Sequence, residues 1–334
     1  MKNIKTLRLT FVLLIAFFQI YDVEAQTNLP PISVRNNQNF QYSNYKFTPF
    51  DINPALAGSN GLYRVSFLIG DKYNNILKVP SKQFNFTTEY TFMDVFKDND
   101  KVGFAMSVDL LGFAWTNSLP KPLPNGTNYS FGAAYHYSLN TAATDFLSFG
   151  IQYNSDSRYF VESRNNLAVY PDNFVYNSPN RSNLSVGLLY KSNIGHKEKS
   201  FGIATYRLGS ILPFVPNTNQ MNRYGVNIHG SYDVDIYKNI SITPGFFYSN
   251  FEFSKLLNIN TNVSYWINKE KISKVYLGLG ITDIDKTIVY TGGTFNGINI
   301  GIAYDWGRKP AQYYDGIPKG LELSSSYTGI AKKK

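Results

Sequence analysis

The sequence predicts an all-β chain: a transmembrane antiparallel β-barrel of about 14 strands with both termini on the periplasmic side. Three observations carry this. Hydrophobicity alternates with period two over most of the 334 residues. Beyond the N-terminus no apolar run approaches the roughly 18 residues of a membrane helix. The chain holds 26 Tyr and 25 Phe but only 16% Asp, Glu, Lys and Arg, where a soluble domain averages about 25%. A lipid-facing belt edged with aromatic girdles has this composition.

The N-terminus is read separately. Lys2, Lys5 and Arg8 precede the apolar stretch Leu9 to Ile20, and Val23-Glu24-Ala25 ends it. Basic head, short apolar core and small-residue site make 1–25 a signal peptide cleaved after Ala25. Residues 26–60 are rich in Asn, Gln and Pro without clean periodicity; they are either a periplasmic segment or a plug folded into the lumen. The barrel is assigned to 61–334.

Alternation and turn residues place the strands at 62–70, 81–93, 101–115, 127–139, 144–158, 182–192, 197–209, 222–235, 239–251, 256–268, 272–284, 286–293, 296–306 and 320–330. Phe84, Phe86, Tyr90 and Phe92 alternate with Asn85, Thr87, Glu89 and Thr91. Leu257, Ile259, Val263, Tyr265 and Ile267 alternate with Asn258, Asn260, Asn262, Ser264 and Asn268, Trp266 interrupting the polar series. Many of these spans exceed the five to six residues usual in globular sheets and reach the nine to eleven or so that cross a bilayer at a tilt. Most connections after even-numbered strands are short, such as Tyr237-Lys238, and most after odd ones are long, the longest near Tyr159 to Arg181. Short turns inside and long loops outside are the outer-membrane pattern. Proline clusters at 119–126, 170–173 and 213–217 cannot join a ladder and must lie in those loops.

The chemistry-bearing residues are few. With no Cys, thiol nucleophiles, disulfides and thiolate metal sites are excluded. His136, His196 and His229 have no second histidine at ligand spacing, so neither a metal nor a cofactor is expected. His229, Ser231 and Asp233 share a polar face and give the only opening for a membrane-embedded hydrolase; a hydrogen-bonded lumen histidine is the preferred reading, and the chain is expected not to be an enzyme. Asp94, Asp98 and Asp100 lack the closing glutamate of a calcium loop. The net charge of +9 is scattered, which points to no nucleic-acid groove and leaves outer-membrane lipid as the surroundings. Glu89, Asp109, Lys191, Asp233, Asp235 and Asp305 fall on polar faces, which suits a diffusion channel or small-solute carrier as well as a partner-binding barrel.

Two stretches carry a resemblance. Asp51-Ile52-Asn53-Pro54-Ala55-Leu56-Ala57-Gly58-Ser59, followed by Tyr63-Arg64, resembles the Asn-Pro-Ala-x-Ala-Gly motif of the PorP/SprF family, and Gly301-Ile302-Ala303-Tyr304-Asp305 resembles its Gly-x-x-Tyr-Asp strand. Members are outer-membrane proteins of type IX secretion and gliding in Bacteroidetes, and the resemblance spans about residues 50–330. Two departures stand out: Gly320-Leu321-Glu322 keeps only the glycine and the acid of a Gly-Ser-His-Glu-like entrance to the last strand, and Lys334 replaces a terminal aromatic. The resemblance implies a non-enzymatic role. The implied partners are the type IX periplasmic ring or peptidoglycan-binding lipoproteins and the C-terminal domain of a secreted adhesin. Asn53, Pro54, Ala55, Gly58 and Arg64 are then candidate partner residues, with Gly301, Tyr304 and Asp305 as the C-terminal motif. The residues alone also fit a tight turn into the first strand, since Asn53-Pro54 favours a turn and Gly58 tolerates positive φ.

Overall fold

The computed structural model of the chain describes residues 47–74, 79–96, 98–113, 126–157, 159–162, 174–177, 181–194, 197–206, 225–251, 254–269, 273–282, 286–307 and 319–329, all within one compact unit, Asn37–Lys334. The expected signal peptide, residues 26–46, His196, the proline-bearing stretches 119–125, 170–173 and 213–217 and the terminal lysines lie outside the described residues.

The strands are β1 (Tyr63–Asn74), β2 (Val79–Met93), β3 (Lys101–Phe113), β4 (Gly126–Ser138), β5 (Asp145–Ser157), β6 (Tyr159–Glu162), β7 (Phe174–Asn177), β8 (Arg181–Ile194), β9 (Lys197–Tyr206), β10 (Gly225–Tyr232), β11 (Val234–Tyr237), β12 (Ile240–Phe251), β13 (Ser254–Asn268), β14 (Ser273–Thr282), β15 (Lys286–Phe295), β16 (Ile298–Gly307) and β17 (Lys319–Gly329). Neighbours pair antiparallel, and β1 pairs with β17 from Tyr63↔Gly329 to Lys72↔Gly320. Both β10 and β11 pair with β12, being two parts of one strand broken at Asp233, whose N–H turns to the Glu198 carbonyl at 2.9 Å. With that strand counted once and the β6–β7 hairpin set aside, the ladder closes as a barrel of fourteen strands among the described residues.

Burial shows which face is which. Along β13 Asn258, Asn260, Asn262 and Ser264 are buried, whereas Leu257, Val263, Tyr265 and Ile267 are exposed and Ile259 is 60% exposed. A water-soluble sandwich buries its apolar parity; this sheet buries the polar one and turns the apolar one outward, as a barrel wall in lipid does. Tyr63, Tyr90, Phe92, Tyr137, Tyr265 and Tyr327 add exposed aromatic rings near the strand ends that face the short turns.

The strands depart from their predicted spans where side-chain pattern and ladder part company. β1 runs on to Asn74 although polarity ends its alternation near residue 70, because Asp71↔Lys82 and Lys72↔Ser81 keep the backbone bonds that the ladder needs regardless of side chain. Asn296-Gly297, with φ of 50° and 85°, forms the two-residue turn between β15 and β16, so β15 reaches Phe295. The long connection after β5 holds the β6–β7 hairpin, where only loop was expected.

Inside the wall lies the segment from Phe47 to Asn60. It forms a short helix, α1 (Pro49–Ile52), and a 3₁₀ turn, Pro54–Leu56, whose cap is Asn53: the side chain accepts the Ala55 N–H at 2.9 Å. Phe50, Asn53, Ala55 and Ala57 are fully buried, against a bed of wall glycines. An added methyl would strike the Ala57 carbonyl at Gly103, the Phe50 ring at Gly132, the Pro54 backbone at Gly150 and the Asn53 side chain at Gly187 and Gly202. The segment itself bends at Gly58, φ +68°, where a methyl would press on Gly103 and Thr91.

Gly187→Ala is therefore expected to unseat the segment while leaving the strand ladder intact. Over-packing of this kind costs about 1–3 kcal/mol. Ser59 Oγ is buried without a hydrogen-bond partner, so Ser59→Cys adds a near-isosteric thiol to a chain that has no other. Its maleimide labelling should quicken by about tenfold or more in the Gly187→Ala background.

Candidate functional site

The first motif and its surroundings form one polar network within the lumen. Strand register places Arg64 on β1 directly opposite Glu89 on β2. Both are buried, and Arg64 Nη1 meets Glu89 Oε1 at 3.3 Å. The same pair holds both ends of the segment: Arg64 Nη2 donates to the Phe47 carbonyl at 3.3 Å, and Glu89 Oε2 accepts the Gly58 N–H at 2.9 Å. Thr91 Oγ1 donates to the Gly58 carbonyl at 2.7 Å, and Lys191 Nζ donates to Asn60 Oδ1 at 2.6 Å.

Asn53 is the centre of the segment. Its Nδ2 donates to the Leu188 carbonyl at 3.0 Å and faces His229 Nε2 at 3.1 Å. An amide nitrogen can only donate, so His229 accepts at Nε2 and is neutral with its proton on Nδ1. His136 has the opposite tautomer: Nε2 faces the Ala57 carbonyl at 2.8 Å and must donate, and Nδ1 accepts from Ser148 Oγ at 2.7 Å. Two wall histidines thus serve as fixed hydrogen-bonding groups for the segment.

The helix carries one acid. Asp51 Oδ1 accepts from Ser107 Oγ at 2.7 Å and Oδ2 from Asn85 Nδ2 at 3.0 Å, while the same Asn85 nitrogen donates to Asp109 Oδ1 at 2.6 Å. Part of Asp51 remains accessible, yet its carboxyl is enclosed by the wall, and burial followed by the charge of Asp109 raises its pKa well above the usual carboxylate range. The hydrogen bonds from Ser107 and Asn85 pull the other way.

The structure brings Asn53, Pro54, Ala55, Gly58 and Arg64 into this one network. Gly301, Tyr304 and Asp305 sit apart from it on β16: Gly301 and Asp305 face inward and Tyr304 is exposed on the outer face. Sequence reasoning placed Glu89, Asp109 and Lys191 on polar faces without seeing what they hold; the register that sets Arg64 against Glu89 was the signal that joins them. His229, Ser231 and Asp233 do not form a relay. Ser231 Oγ pairs with Ser200 Oγ at 2.9 Å, and Asp233 accepts from Thr243 Oγ1 at 2.5 Å and the Glu198 N–H at 3.1 Å. Among the described residues no group of three or more His, Cys, Asp or Glu could hold a metal ion.

Glu89→Gln removes the carboxylate that Arg64 Nη1 meets at 3.3 Å, and loss of one partner of a buried pair costs about 3–5 kcal/mol. Protease resistance of residues 47–60 in the folded barrel should fall accordingly. For Asp51 the sign follows from the raised pKa. The segment is held best below the ordinary carboxylate pKa of about 4 and is loosened as pH rises through the raised value. A spin label on Ser59→Cys should gain mobility with rising pH, and Asp51→Asn should flatten that dependence.

KdgM porin is 12% identical, with 80% of this chain and 99% of that one covered and a TM-score of 0.41. The P. putida toluene transporter TodX is 8% identical, with 84% and 93% covered and a TM-score of 0.44. CdiB from Escherichia coli is 9% identical, with 79% and 63% covered and a TM-score of 0.47. A search of curated protein sequences found no match. The family profile described as type IX secretion system membrane protein PorP/SprF matches residues 34–316, which contain both the lumenal segment with Arg64 and the Gly301 to Asp305 stretch. With that match over most of its length, a closed barrel and an apolar outer face, the chain is an outer-membrane protein that belongs to the PorP/SprF family of the type IX secretion system.

Proposed function

We propose that this chain is a non-enzymatic component of type IX protein secretion that aids export or surface attachment of large cell-surface adhesins and links to the periplasmic ring. The lumenal segment carries the reading. A barrel whose interior is engaged by its own residues 47–60, through the Arg64–Glu89 pair and Asn53, has its ends left for binding. The end with the short turns, where Tyr63 and Gly329 also lie, faces the periplasm and meets ring components or peptidoglycan-binding lipoproteins. The other end carries the longer connections and the β6–β7 hairpin and meets the C-terminal domain of a secreted adhesin.

A second reading, a diffusion channel or small-solute carrier, is favoured by the wall opposite the segment. There Asn258, Asn260, Asn262, Ser264 and Ser324 present small polar groups inward beside the carboxylates of Asp305 and Glu322, a polar lining of the kind that sets a channel's selectivity.

Crosslinking in native outer membranes, affinity purification and mass spectrometry separate the two. Co-purified ring components, peptidoglycan-binding lipoproteins or a large adhesin are expected, together with little conductance in planar bilayers. A barrel recovered alone that conducts steadily as purified would overturn the secretion reading in favour of the channel.

A further inference from the structure

We propose that the outer face of β3–β5 holds one phospholipid acyl chain in a groove over Ala133, an ordered lipid site in the leaflet at the turn end of the barrel. Along this part of the wall the outward positions are large: Phe104, Phe149 and Ile151 are 48%, 52% and 42% exposed. Ala133 lies directly between two of them, opposite Phe104 on β3 and Ile151 on β5. A single methyl among side chains of that size leaves a hollow with Ala133 as its floor, about 490 Å³ in volume and lined by apolar and aromatic residues.

The walls of the hollow are braced. Phe92 packs edge-on against Phe104 with ring centroids 5.8 Å apart. Tyr135, one strand position pair from Ala133, donates its hydroxyl to Asp100, which itself accepts the Ser138 N–H at 2.9 Å. At the turn end the groove has a lip: Phe96, in the β2–β3 turn, stands 77% exposed and packs edge-on against the Tyr135 ring at 5.6 Å. Rings held by edge contacts and a part-buried hydrogen bond keep the hollow from closing by rotamer change.

The occupant follows from the phase that this face meets. The groove is continuous with the exposed apolar belt of the barrel, whose contact in the outer membrane is hydrocarbon. Water gains no hydrogen bonds from such a lining and is not retained there. A helix, about 10 Å across, would use up the 490 Å³ in little more than one turn; a single flexible acyl chain follows a narrow groove over its length. Phe96, placed beyond the strand ends, closes over the chain where its headgroup begins.

Native mass spectrometry of the whole chain tests this after reconstitution in palmitoyl-oleoyl phosphatidylethanolamine vesicles and extraction into mild detergent. Ala133→Phe fills the floor and Phe96→Ala removes the lip; both positions face outward, so folding is checked independently by heat-modifiable migration on gels. The expected result is one retained phospholipid on the wild-type barrel, lost at least about tenfold in Ala133→Phe, reduced in Phe96→Ala, and unchanged in Ile300→Phe, an outward position that is 57% exposed on β16. Equal retention in wild type and folded Ala133→Phe, no retained lipid on the wild type, or recovery from native membranes of a lipid-anchored polypeptide or a second copy of the chain at this face would each overturn the site.

Discussion

The buried pair of Arg64 and Glu89 is the constraint on which the interior depends. A charge pair taken out of water returns its desolvation cost only when geometry is good and the remaining donors and acceptors are met. Here they are met by the backbone of the lumenal segment, at Phe47 on one end and Gly58 on the other. Arg64 is the second residue of β1 and sits in register with both Glu89 and Thr328. The residues that seat the segment therefore also join the first hairpin to the seam where the barrel closes, and Leu62 beside them donates to the Gly329 carbonyl at 2.9 Å. Wall closure and segment seating therefore meet at the same residues of β1.

A segment of this kind poses a hydrogen-bonding problem that a helix of only four residues cannot solve internally, because short helices leave most of their carbonyls open. The wall supplies the missing donors. Tyr206 donates to the Asp51 and Ile52 carbonyls, Asn227 Nδ2 reaches the Ile52 carbonyl at 3.1 Å, and His136 Nε2 reaches that of Ala57. Each donor comes from the inward parity of a different strand, which explains why that parity is polar and specific on this side of the barrel. The glycine bed solves the companion problem of space: only positions without a Cβ let the Asn53 to Gly58 backbone approach the sheet so closely.

Much of this was legible in the sequence. Period-two alternation, strand length and connection rhythm located the fourteen barrel strands, because each depends on local side-chain pattern alone. The misplaced boundaries have local causes too: Asp71 and Lys72 look like the end of β1 yet remain paired, and Asn296-Gly297 is a turn that alternation runs across. What alternation cannot give is which inward residues meet, since that depends on register between strands and on a segment with no periodicity of its own. Asn53 lies 135 residues from Leu188 and 176 from His229. Contacts at that separation are properties of the closed barrel.

The C-terminal motif gains a physical meaning from the same register. Along β16 and β17 the inward pairs are Gly301↔Ser324, Ala303↔Glu322 and Asp305↔Gly320. A Cβ at Gly320 would collide with the Asp305 carboxylate, and Glu322 lies fully covered across from the small Ala303. The glycine that opens the last strand is thus a position whose size is set by the strand before it, and Ala303 leaves room for the acid that follows. Leu321, between them, points outward and is 46% exposed, where any apolar residue serves the lipid face. Large and small, acid and glycine, alternate across the two strands so that each inward carboxylate faces a partner with room for it, and the β16–β17 pair completes the wall next to the strand that carries Arg64.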